Sequence, residues 1–275
     1  MTITKAESYL PDLIHFIENL SVETTNGQLT SASAFSERVQ AFFTRRMLDK
    51  TDSVLPGWRK MASYGKGVTL IHVITVFVAL LQCPEYVALS PDEQLLMHWI
   101  VLFHDIAKVI DHKKERGDSM HAFRSAVAAG RGLFRLGFAA WDSEPAIKLW
   151  ADLTGAASLK TDDTGDEIPD NRRLPEILAG IDRLFEKPAG LIIMAVLFHL
   201  GINVLQEWPQ DAPLTDGEIQ RYLDKDLSRL LKVMMLVDSD AWAFFDPDRK
   251  QRQHLEILTT FERVERLVAQ RKPNS

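Results

Sequence analysis

The stretch Leu95-Leu96-Met97-His98-Trp99-Ile100-Val101-Leu102-Phe103-His104-Asp105-Ile106-Ala107-Lys108 sets a carboxylate beside an imidazole in an otherwise apolar helical run. A run this apolar has to be buried. A bare carboxylate buried with it costs several kcal/mol unless something cationic meets it. Any fold of this chain must therefore deliver a cation to Asp105, and a metal ion is the usual solution. Other apolar runs carry residues of the ligand type: His72 in Val68-Thr69-Leu70-Ile71-His72-Val73, His199 in Met194-Ala195-Val196-Leu197-Phe198-His199-Leu200, and Asp238 in Met234-Met235-Leu236-Val237-Asp238. His121, in Asp118-Ser119-Met120-His121-Ala122-Phe123, is a sixth candidate.

Helical periodicity runs through the whole chain. Phe35, Val39, Phe42 and Phe43 recur at helical spacing while Glu37, Arg38, Arg45 and Arg46 point elsewhere, and Ile257, Leu258, Phe261, Val264 and Val268 repeat the pattern. No segment alternates as a strand does, so the fold class expected is all-α. Capping boxes mark helix starts at Ser90-Pro91-Asp92-Glu93 and Thr215-Asp216-Gly217-Glu218. The first predicts one helix over 91–110, with His104 and Asp105 in its last two turns. Between helices, the stretch from Ser158 to Arg173 is rich in acids, among them Asp162, Asp163, Asp166, Glu167 and Asp170, and reads as an exposed, mobile insertion.

Composition narrows the class. With 275 residues and 46% hydrophobic side chains the chain can bury a large core. The organisation expected is N-terminal helices over 1–61 packed on the core, a catalytic unit over 62–250 containing the acidic insertion 158–173, and a C-terminal helix and tail over 251–275. The one cysteine, Cys83, excludes an internal disulfide framework and reads as an inert buried thiol. A net charge of −6 argues against a general nucleic-acid or anionic-membrane surface. The segments Val68 to Cys83 and Leu191 to Leu205 fall short of the roughly eighteen apolar residues that a bilayer requires, so no membrane partner is expected. Met1 to Glu7 lacks the basic-then-apolar pattern of a signal peptide, which predicts a cytoplasmic protein.

The candidate ligands suit one another. Imidazole and carboxylate favour Mn, Fe, Co, Ni or Zn, and the absence of cysteine among them argues against a structural zinc site. Neighbouring residues project about a hundred degrees apart on a helix, so His104 and Asp105 can grip an ion only if other helices supply further ligands. The order His72, His104-Asp105, His121, His199, Asp238, with Leu102-Phe103-His104-Asp105-Ile106-Ala107-Lys108 as its central word, resembles the HD-domain superfamily of metal-dependent phosphohydrolases. The resemblance covers roughly residues 62 to 246.

That resemblance implies an HD-like helical bundle with an N-terminal helical elaboration, and two divalent ions of Mn, Fe, Co, Ni, Mg or Zn. His72, His104, Asp105 and Asp238 would surround one ion, and Asp105 would bridge to a second held by His121 and His199. Asp240 rivals Asp238 as the last ligand. Two such ions, about 3.5 to 4 Å apart, activate water for in-line attack on a phosphoryl group. Lys108 would contact phosphate, and Arg124, three residues past His121, could hold a second phosphate oxygen. Lys113, Lys114 and Arg116 add positive charge nearby. The expected partner is a small phosphorylated or nucleotide substrate, and a homodimer is compatible with the chain. A di-iron oxygenase of the same fold and a non-catalytic nucleotide sensor are the alternatives. Phe244 and Phe245 are expected to close the helix of Asp238 over the metal site, whereas His15, His98, His112 and His254 read as background.

Overall fold

A computed structural model describes residues 4–63, 67–109, 118–138, 148–152, 159–161 and 167–271. Those residues form an all-α fold, as the periodicity predicts. The helices are α1 (Ala6–Tyr9), α2 (Pro11–Thr25), α3 (Ala32–Phe42), α4 (Arg45–Val54), α5 (Trp58–Ser63), α6 (Val68–Leu81), α7 (Pro84–Val87), α8 (Pro91–Phe103), α9 (His121–Arg135), α10 (Leu174–Leu184), α11 (Lys187–Phe198), α12 (Asp216–Tyr222), α13 (Lys225–Trp242) and α14 (Pro247–Ala269). Both predicted capping boxes form. The Ser90 and Thr215 hydroxyls accept from the Glu93 and Glu218 amides while those glutamates reach back to the cap N–H groups.

Five helices build the centre. α6 buries Val73, Ile74, Val76, Phe77, Val78, Ala79 and Leu80, which leaves it almost no solvent face. It packs along α13, α8 and α2; α11 packs along α9, α8 and α13. Each of these five helices α6, α8, α9, α11 and α13 carries or adjoins a predicted ligand. α8 and α9 approach closely at Gly132, where a Cβ would lie 2.8 Å from the Phe103 ring, so only glycine fits beside the last residue of α8.

The N-terminal helices lie on this centre. α2 and α3 contact α6, and α1 contacts α8. Phe244 and Phe245 do not close over the predicted metal site. Their rings lie 5.8 and 6.0 Å from Phe35 on α3, so they tie the end of α13 to the N-terminal layer. Part of the acidic stretch, 158 and 162–166, lies outside the described residues, as do Lys113, Lys114, Arg116 and His112. Flanking it, β1 (Leu159–Thr161) and β2 (Glu167–Pro169) pair antiparallel, with Lys160 opposite Ile168. Three residues per strand are too few for an alternating pattern to register, which is why the sequence shows no strand there. Among the described residues no helix is long and apolar enough to cross a membrane.

Candidate metal centre

α8 stops earlier than its sequence pattern predicts. The helix ends at Phe103 rather than near residue 110, and His104 to Ala107 form turns. The reason lies in distant side chains. The Ser125 hydroxyl accepts the Ala107 N–H at 3.2 Å and the Asp118 carboxylate accepts the Val109 N–H at 2.8 Å, so neither amide bonds back into a continuing helix. The Ile106 N–H turns to the Phe103 carbonyl and the Lys108 N–H to that of Asp105, three residues back in each case. This tightening aims both Asp105 oxygens inward. α11 ends similarly, with His199 just past Phe198.

Six side chains from five elements converge. His72, His104 and Asp238 make one group and Asp105, His121 and His199 another, and within each the ligand atoms lie within 4.8 Å of one another. Asp105 faces both groups. Its Oδ2 is 3.7 Å from both His72 Nε2 and His104 Nε2. Its Oδ1 is 2.9 Å from His121 Nε2 and 3.8 Å from His199 Nε2. Asp238 Oδ1 sits 2.8 Å from His72 Nε2 and 4.0 Å from His104 Nε2. All except Asp238 are buried, His104 and Asp105 almost completely. Asp240 points elsewhere, toward Lys250 and His254, and joins neither group.

The imidazoles are oriented by a repeated device. His104 Nδ1 donates to the Val101 carbonyl at 2.8 Å, His199 Nδ1 to that of Val196 at 2.7 Å, and His121 Nδ1 to that of Asp118. Each bond holds the ring proton on Nδ1 and leaves an Nε2 lone pair facing the centre. His121 Nε2 and His199 Nε2 then lie 3.0 Å apart as two acceptors. Among the described residues His104 Nε2 has no hydrogen-bond partner, and Asp105 Oδ1 receives no hydrogen bond from His121 despite their close approach. Buried lone pairs that converge on one another without protons fit a cation, and these groups could hold metal ions.

Protonation agrees. Burial pushes His104 down to about 4 and His121 below the ordinary histidine value, in both cases against the pull of Asp105, so the rings are kept neutral. Burial works to raise the Asp105 carboxyl, but the Lys108 ammonium outweighs it and holds it well below the usual carboxylate range. For Asp238, too, burial acts upward and is overcome, here by the His72 hydrogen bond. Lys108 Nζ lies 2.7 Å from Asp105 Oδ2; burial works against its charge, but Asp105 and Asp238 hold its pKa above the ordinary lysine value.

A cleft of about 150 Å³ opens onto this centre, lined by Lys108, His121, His199, Asp238, Trp208 and Trp242 among others. Arg124 is not among its lining residues. The Arg124 guanidinium binds the Asp118 carboxylate and reaches the Ala107 carbonyl at 3.4 Å, which fastens the turn after His104. Asp118 is therefore a positioning residue that sequence reasoning missed: its carbonyl orients His121 and its carboxylate ties Val109 and Arg124. Its place three residues before His121 is the only signal the sequence offers. No family model, curated protein or solved structure matches this chain.

Proposed function

We propose that this protein is a metal-dependent phosphoester hydrolase with two divalent ions held around Asp105. The observation that supports this reading best is the split of one carboxylate between two ligand groups, Oδ2 toward His72 and His104 and Oδ1 toward His121 and His199. Divalent ions in such a site supply an activated water and offset phosphoryl charge.

The chain's own residues do the rest. The carbonyls of Val101, Asp118 and Val196 keep three Nε2 lone pairs aimed at the centre, so no reorientation is needed when an ion or substrate arrives. Asp238 closes the first group from α13, its Oδ1 2.8 Å from His72 Nε2. Lys108 is the one permanent cation among the described residues lining the cleft, and it sits at the boundary between ligand groups and solvent. There it exchanges part of its ion pair with Asp105 for a phosphate oxygen of the substrate and holds that oxygen as negative charge grows on it. Arg124 reaches a phosphate only by leaving Asp118, so its work is to hold the turn.

The metal-loaded protein should hydrolyse at least one member of a panel of phosphomonoesters, phosphodiesters and nucleotides. Lys108→Ala should lower kcat/KM about a hundredfold while metal content stays the same. Unchanged kinetics would remove the lysine from the site, and a panel without turnover would overturn the hydrolase reading.

A further inference from the structure

The described tryptophans divide into two kinds. Trp58, Trp99 and Trp150 are fully buried, whereas Trp208 is 42% exposed and Trp242 49% exposed. Large rings gain most from burial, so leaving two of them half in water needs a reason. Both exposed rings line the cleft that opens onto the ligand groups. They reach it from different elements, Trp242 from the end of α13 and Trp208 from the loop between α11 and α12.

Both rings are also held in place. The Trp242 indole stacks on the His72 imidazole with centroids 4.4 Å apart and planes 25° apart, and Lys108 Nζ lies 5.9 Å from its centroid. The Arg249 guanidinium sits 4.6 Å from the Trp208 centroid. The loop that carries Trp208 is pinned as well. Glu207 accepts from Gln253 and faces Arg249 at 3.6 Å, the Gln206 N–H donates to Glu256, and the Leu214 N–H donates to the Gly201 carbonyl. Exposed aromatic rings fixed by backing groups are preorganised surfaces for stacking, and they stand beside the cation proposed to take the phosphate.

We propose that Trp208 and Trp242 form a subsite for a planar aromatic ring carried by the phosphorylated substrate. The proposal rests on the hydrolase reading for the phosphate and adds the ring as the second recognition element. Sugar phosphates and other ringless phosphoesters would then be poor ligands of the same cleft.

The test compares adenosine 5′-monophosphate with ribose 5-phosphate, which share phosphate and sugar and differ by the ring. Binding of each to the metal-loaded full chain is measured by calorimetry. The ring should tighten binding at least about tenfold, the scale of one base stacked on an aromatic side chain. Trp208→Leu should remove most of that ratio. Trp242→Leu should do the same and Trp242→Phe restore part of it, with metal content measured on both because Trp242 touches His72. Equal affinities in the wild type, binding of neither compound, or a ratio that survives Trp208→Leu would overturn the subsite. A tenfold ratio in a protein that hydrolyses no phosphoester would remove only the hydrolase reading.

Discussion

α13 carries two carboxylates two residues apart, and their surroundings differ in kind. Asp240 sits between Lys250 at 3.2 Å and His254 at 3.6 Å, an ion-pair distance, and His254 reaches on to Glu85 at 3.5 Å. Two acids meet two bases, so the charges are matched, and the cluster ties α14 to α13 and α7. Asp238 belongs instead to a set in which carboxylate oxygens and unprotonated imidazole nitrogens outnumber the protons available to them. The lesson is general: a buried polar cluster with matched charges is structure, and one with surplus lone pairs is a binding site.

The sharpest break of this comparison exchanges the two aspartates. Asp238→Asn should lose most bound metal, more than about a hundredfold in affinity, while its metal-free form melts near the wild-type temperature. Asp240→Asn should keep its metal and lose about 2 to 3 kcal/mol of stability, because Lys250 keeps its charge without the acid that faces it. Elemental analysis and urea titration of both variants decide it, and equal metal loss would dissolve the distinction.

Next in size is the support behind the ligands. Asp118→Ala should free Val109 and Arg124 and weaken metal binding about 10- to 100-fold without removing a ligand, measured by competition with a chelator. Unaltered affinity would show that the turn after His104 holds without Asp118.

The smallest effect is in pH. His98, against Tyr86 and Phe77, is pushed down to about 4 by burial, and His104 likewise. Unfolded, these rings bind protons that the folded state refuses, so stability falls as pH drops from about 6.5 toward 4. His254 behaves oppositely: Asp240 raises it, with Glu85 adding, so its contribution is complete below the unfolded value near 6.5 and is lost as pH rises through the folded value. Melting curves of the metal-free protein should therefore lose stability on both sides, and His254→Gln should flatten only the alkaline side, by about 1 kcal/mol or less. A variant that changes the acid side instead would contradict the assignment.

Much of this was legible in the residues. A histidine or aspartate stands out on an apolar helix, which is how His72, His104, Asp105, His199 and Asp238 could be picked from their runs, and caps at Ser90 and Thr215 fixed helix starts. What local patterns cannot carry is the effect of one element on another. The end of α8 at Phe103 depends on Ser125 and Asp118, the orientation of Phe244 and Phe245 on Phe35, and the exposure of Trp208 and Trp242 on how loops surround the cleft. The choice between Asp238 and Asp240 is similar: both follow apolar residues, and only the packing of α14, which brings Lys250 and His254, separates them.

The measurement that meets the central claim most directly is the metal content of protein purified without chelator, wild type against Asp105→Asn, a change that keeps the shape of the side chain. The account predicts about two divalent ions per wild-type chain and none retained by the variant, since one carboxylate serves both ligand groups. Two ions held equally well by Asp105→Asn, or a wild-type chain that binds none of Mn, Fe, Co, Ni, Mg or Zn on titration, would contradict it.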